Sequence, residues 1–225
     1  MGRTISAKNN FFYLTASLII LLISATLAQA LSGSWFDWVL KGVTLFNFAV
    51  CLISLQVEKI WFRLLIVIAA GWAIVSVCKL FFPFRQMDTL ILLLMLCFFL
   101  GTFKIIARKI LFTGSIDVNK VVGSVALFLL LGLMWAMVYL IILEFSPQAF
   151  TGMTQLPWGE NFANVTYFSF VTLTTLGYGD ISPLSEIARV AVYLEAIAGI
   201  FYMAIVVASL VGASQQHRGE KQDPP

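Results

Sequence analysis

Apolar residues fall in long runs separated by short polar breaks. The first run, Phe11 to Leu31, follows Arg3 and Lys8, and a short turn over Ser32 to Asp37 leads into a second from Val39 to Val57. Glu58, Lys59 and Arg63 mark the next break, and Leu64 to Leu80 forms a third run. Phe82-Pro83-Phe84 interrupts the pattern, because proline lacks an amide donor and restricts the residue before it. A fourth run begins at Asp88 and ends near Ile106, with Lys104, Arg108 and Lys109 closing it. Asp117 to Lys120 read as a polar connection to a fifth run, Val121 to Leu143. A loop with Pro147, Gly152, Pro157 and Gly159 occupies Glu144 to Gly159, and a last long run covers Ala188 to Val211 before the polar tail from His217 to Pro225. Each long run approaches the roughly 20 residues that a bilayer-spanning helix requires.

One apolar segment breaks this rule. Asn161 to Thr174 is too short to span and too apolar for an ordinary loop, so it reads as a half-membrane helix entering and leaving on one side. Thr175, Leu176, Gly177, Tyr178, Gly179 and Asp180 follow it. Irregular backbone at membrane depth is tolerated only where protein packs it or water lines it. Gly177 and Gly179 reach positive φ without steric cost, so alternating handedness there aims successive carbonyl oxygens at one axis.

Composition narrows the class. Of 225 residues, 60% are hydrophobic and 11% charged, which leaves one membrane domain and little chain for a soluble one. The net charge of +3 sits at the ends of apolar runs, so no nucleic-acid partner is implied. Cys51, Cys78 and Cys97 lie singly inside apolar runs and read as small hydrophobes. His217 is the sole histidine, and without a His, Cys or carboxylate cluster neither an enzyme nor a resident cofactor is expected. Ala28-Gln29-Ala30 also fits a signal-peptide cleavage site, but the run before it exceeds a usual signal core and favours an uncleaved helix.

With the start of the chain inside, Lys41, Lys79, Arg85 and Arg189 alone among the 14 lysines and arginines fall outside. That balance follows the positive-inside rule, puts both termini on the cytoplasmic face of a cell membrane and the 175–180 segment near the outer face. Trp35, Trp38, Trp61 and Trp158 stand near helix ends as interfacial anchors.

The segment from Asn161 to Val211 resembles the pore region of potassium channels, with Leu176 where valine is commoner. The resemblance implies an all-α membrane protein of six spans, with a re-entrant pore helix and selectivity filter between helices five and six, assembled as a C4 homotetramer because one filter strand cannot encircle an ion. It divides the chain into residues 1–110, a four-helix region; 111–213, the pore domain; and 214–225, a short tail. By the same resemblance, potassium would bind at Thr175, Leu176, Gly177 and Tyr178, Gly179 would complete the outer turn, and Asp180 would brace the filter from behind. Tyr167 falls where many members carry a tryptophan that bonds this aspartate. Val171 and Phe168 depart from bracing residues of the family, which leaves Thr172 as a partner for Tyr178. Gly199 aligns with the inner-helix gating hinge, and a close-packing contact is an equal reading.

Glu195 is a carboxylate inside a spanning run, a costly placement that marks a paired or functional group. Thr172, Thr174 and cavity water are its expected partners. The fourth run carries no cation from Leu90 to Phe103, so it lacks the arginine ladder of a voltage sensor. The expected function is passive potassium conduction without steep voltage gating. A voltage-gated or poorly selective cation channel, and a potassium-uptake transporter subunit, are the alternatives.

Overall fold

The computed structural model describes residues 10–30, 36–55, 59–82, 84–112, 118–153 and 156–208. Helices dominate them: α1 (Asn10–Ala30), α2 (Phe36–Leu55), α3 (Lys59–Phe81), α4 (Arg85–Phe112), α5 (Val118–Phe145), α6 (Trp158–Leu173) and α7 (Glu186–Tyr202), which continues into a π-helical turn, Met203–Val207. Two short strands, β1 (Phe150–Thr151) and β2 (Ser182–Pro183), pair antiparallel, with Phe150 opposite Pro183 and Thr151 opposite Ser182.

Five stretches are long and apolar enough to cross a membrane: Asn10–Leu27, Lys59–Phe81, Gln86–Ile110, Val118–Phe145 and Glu186–Ile205. The apolar part of α2, Trp38–Ser54, is shorter. Several boundaries depart from the sequence expectation. Lys59 and Arg63 belong to the first turns of α3 rather than to a turn between helices, and α5 opens at Val118, so Lys120 is helical. Long cationic side chains can keep their heads in water from within a terminal turn, so charge alone does not end a helix. α4 begins at Arg85, ahead of Asp88, and runs past residue 110 to Phe112. Of the turn expected over Ser32 to Asp37, residues 32–35 lie outside the described residues and Phe36 and Asp37 open α2; the tail from 217 also lies outside them.

α1 packs along α2 and α5, and α4 packs along both α3 and α5. Phe48 of α2 stacks on Phe98 of α4 at 4.0 Å between centroids, with Trp72 of α3 and Phe99 edge-on to Phe48. All four rings are fully buried, so aromatic area fixes α2, α3 and α4 together. Asn47 donates to Ser17 Oγ at 3.1 Å, a buried polar contact joining α2 to α1. α5 is the most deeply buried long helix and lies between this region and α6. At one end of the bundle the Phe11 amide donates to Asn119 Oδ1. At the opposite end Lys79 pairs with Asp88, which also accepts from the Trp158 indole at 2.8 Å. α3 and α4 are thereby tied to the first residue of α6.

Candidate functional site

α6 starts behind Pro157, whose backbone is already extended at φ −51°, and carries Glu160 in its first turn. A carboxylate there complements the positive end of the helix dipole. The helix ends at Leu173, and the chain turns back at once: Thr175 N–H donates to Thr172 O at 2.9 Å, and the Val171 carbonyl accepts from Leu176 N–H at 2.9 Å and Gly177 N–H at 3.3 Å. These bonds anchor the start of the 175–180 segment to the last turn of α6.

Positive φ then recurs at every second residue: Thr175 at 58°, Gly177 at 57° and Gly179 at 79°. Leu176 and Tyr178 between them do not share it. The left-handed region costs a side-chain-bearing residue about 1–2 kcal/mol, so Thr175 is held there by the bonds on either side of it. Among the described residues, apart from those adjoining each glycine, nothing stands within 4 Å of a Cβ placed on Gly177 or Gly179, and Tyr178 is 67% exposed. The segment presents its backbone and an aromatic ring to space beyond its own chain.

Behind it, three contacts hold the segment's far end. Tyr167 donates its phenol to Asp180 Oδ2 at 2.8 Å, a bond that raises the phenol's pKa. Gly152, at φ 77°, lies so close to Asp180 that an added Cβ would stand 2.0 Å from the Asp180 carbonyl oxygen. β1 pairs with β2, and Ala149 O accepts from Leu184 N–H at 2.8 Å and Ser185 N–H at 3.2 Å. The loop before α6 is therefore strapped to the strand after residue 180. Phe168 fills the space beneath this strap against Tyr139 and Phe150, with centroids 5.2 and 5.4 Å away. Val171 is buried as well.

Glu195 is fully buried, but not with the expected partners. Thr174 Oγ1 donates instead to Phe170 O at 2.7 Å within its own helix, and Thr172 is half-buried. Glu195 Oε1 lies 2.5 Å from Ser169 Oγ, and Tyr139 donates its phenol to Glu195 Oε2. Ser169 Oγ also lies 2.7 Å from the Gly132 carbonyl oxygen. One carboxyl group thus joins α5, α6 and α7. Gly132 allows this approach, since a Cβ there would stand 2.7 Å from the Phe170 ring.

Gly199 faces the end of α6, and a Cβ added to it would stand 2.1 Å from Leu173 O. Past it α7 changes register in the π turn, beside Tyr202, whose phenol bonds the Ser124 carbonyl and whose ring lies 5.3 Å from Phe128. π turns are a known cause of helix bending.

The arrangement thus brings Tyr167 to Asp180, Glu195 to the middle of α6 and Gly199 to its end. The sequence assigns no role to Tyr139, Ser169 or the strand pair, and places Gly152 only in the loop before α6.

Residues 125–216 match the protein-family model described as ion channel, a span of under half the chain that runs from α5 through α6 and the 175–180 segment into α7 and beyond. No curated protein and no solved structure matches. Spanning-length helices around this match support a membrane protein, and the match itself supports passive ion conduction by an ion-channel domain.

Proposed function

We propose that the protein is a potassium-selective channel in which four copies surround one pore. The observation that carries this reading is the alternation of positive φ at Thr175, Gly177 and Gly179 within the sequence Thr-Leu-Gly-Tyr-Gly-Asp. Such alternation lets consecutive carbonyls point to the same side, and rings of carbonyls from converging loops replace the hydration shell of a potassium ion. Thr175, Leu176, Gly177 and Tyr178 supply the ion-binding oxygens, Gly179 turns the chain outward, and Asp180 with Tyr167 supports the outer end.

Fourfold assembly accounts for what one chain leaves open. Tyr178 at 67% exposure and the exposed α7 residues Ile187, Tyr193, Ile197 and Phe201 are covered by neighbouring copies. The C-terminal end of α6 points at the central axis, where its partial negative charge favours an incoming cation. Ions then pass in single file, each leaving as the next arrives. Six helices cross the membrane, α2 being the shortest crossing, with both termini on the cytoplasmic face. The pore opens without steep dependence on voltage, because α4 has no cation between Leu90 and Phe103.

Tracer flux into liposomes holding purified protein tests the reading. Uptake of a potassium-analogue tracer, competed by potassium and not by sodium, supports it. Equal competition by sodium points to an unselective cation channel, and absence of flux from intact tetramers removes the proposal.

A further inference from the structure

The end of the bundle where α3 begins and α4 finishes holds a feature unrelated to ion conduction. A groove of about 480 Å³ is lined there by Ile60, Trp61, Arg63, Leu64 and Val67. Lys104, reaching across from α4, sits with its ammonium 4.7 Å from the centroid of the Trp61 ring. An ammonium over an indole face is held by the ring's quadrupole, which fixes this cation beside the groove.

Ile60, Leu64 and Val67 follow one another at helical spacing and are 73%, 47% and 67% exposed. Leu64 and Val67 carry this apolar face from the Arg63 level toward the middle of α3, the least covered of the spanning-length helices, while Ile60 lies just before Arg63 at the helix start. A groove with cations at one end and an open hydrocarbon track leading from it fits an amphipathic anion with a long apolar tail.

We propose that this groove binds an anionic phospholipid of the inner leaflet, its headgroup phosphate held by Arg63 and Lys104 beside Ile60 and one acyl chain along Leu64 and Val67. The inner-leaflet assignment rests on the orientation given under Proposed function, whereas the binding itself is measured without conduction. Arg63 supplies a planar fork matched to phosphate, Lys104 a point charge, and Trp61 an interfacial ring between headgroup and chain.

The alternative is diffuse attraction, since any cations at the inner boundary draw anionic lipid. Two double variants of equal charge separate the cases: Arg63→Gln with Lys104→Gln, and Lys59→Gln with Arg108→Gln. Native mass spectrometry of the detergent-solubilised full-length protein would count retained phosphatidylglycerol and phosphatidylcholine of matched chains. The wild type and the second double variant should retain phosphatidylglycerol alike. The first should lose it by roughly tenfold or more, from about fivefold per charge removed. Phosphatidylcholine should not change. Val67→Trp, which fills the acyl track and leaves every cation in place, should also reduce phosphatidylglycerol retention. Because the same spectra report the assembled mass, loss of lipid is distinguished from loss of assembly. Equal loss from the two double variants, equal retention of the two lipids by the wild type, or no effect of Val67→Trp would overturn the groove assignment.

Discussion

Gly199 packs directly against the Leu173 carbonyl oxygen, so closely that a β-carbon would stand 2.1 Å from it. The α7 backbone thereby supports the α6 end from which the 175–180 segment departs. Bending at Gly199 must first separate these two backbones. The π turn at Met203–Val207 lies further along, directly after Tyr202, whose phenol bonds the Ser124 carbonyl. In the proposed channel, opening movements are expected to be absorbed in the π turn, with Gly199 holding the α6 end of the proposed filter still.

Gly199→Ala is therefore expected to act as overpacking. Forcing a methyl into a filled backbone contact costs about 1–3 kcal/mol. The thermal midpoint of the purified protein should fall, and single-channel conductance of the proposed tetramer should fall with it as Leu173 shifts. An alanine variant with unchanged stability and altered open probability alone would return the hinge to Gly199.

For Glu195 the expected result depends on which group replaces it. Glutamine retains hydrogen-bonding capacity toward Tyr139 and Ser169, so tetramer stability and conduction should stay close to wild type. Leucine leaves the buried Tyr139 phenol without its partner, at about 1–3 kcal/mol for an unsatisfied group, whereas Ser169 keeps the Gly132 carbonyl as acceptor. Thermal unfolding of the purified tetramer and tracer flux on the same samples check this. A glutamine variant with an intact tetramer and strongly reduced conductance would place the carboxylate in the ion path.

How far the sequence discloses such a site depends on the range of the interaction. The 175–180 segment is readable because its geometry is local: glycines on both sides of an aromatic residue, directly after a short apolar segment, mark a backbone that alternates in handedness. Glu195 is conspicuous because a carboxylate in an apolar run is costly. Its partner Tyr139 is hidden, since a tyrosine 56 residues away in an apolar helix reads as one more hydrophobe. The β1–β2 strap is hidden for another reason, as two-residue strands carry no periodicity. Lys59 and Arg63 misplace a turn because charge marks the membrane boundary, and a helix can continue through it.

Coupling between the peripheral helices and the pore is expected to pass through Asp88, which bonds Lys79 of α3 and the Trp158 indole at the start of α6. Asp88→Ala should free α6 at that end, increasing hydrogen exchange over residues 158–162 and shortening sustained openings. Exchange in this segment equal to wild type would show that the contact does not hold α6.

Opening should respond weakly to voltage. Carrying one charge through 100 mV is worth about 2.3 kcal/mol, and steep gating needs roughly three to four charges per subunit. After Arg85 at its first residue, α4 offers Lys104 beside Trp61 and, beyond it, Arg108 and Lys109 in its last turns. A conductance–voltage curve in symmetric potassium should be shallow and unchanged when all three are neutralised. A slope of several charges that flattens on neutralisation would identify α4 as a sensor.

The central claim is that the backbone from Thr175 to Gly179 selects potassium. Gly177 adopts φ 57°, where alanine is disfavoured by about 1–2 kcal/mol, so Gly177→Ala should turn carbonyls away from the axis. The most direct measurement is the bi-ionic reversal potential with potassium on one side and sodium on the other, for the wild type and for Gly177→Ala. Strong potassium preference in the wild type, with that preference or the current itself lost in the variant, is the predicted result. A reversal potential near zero in the wild type, or one unchanged by Gly177→Ala, would contradict it.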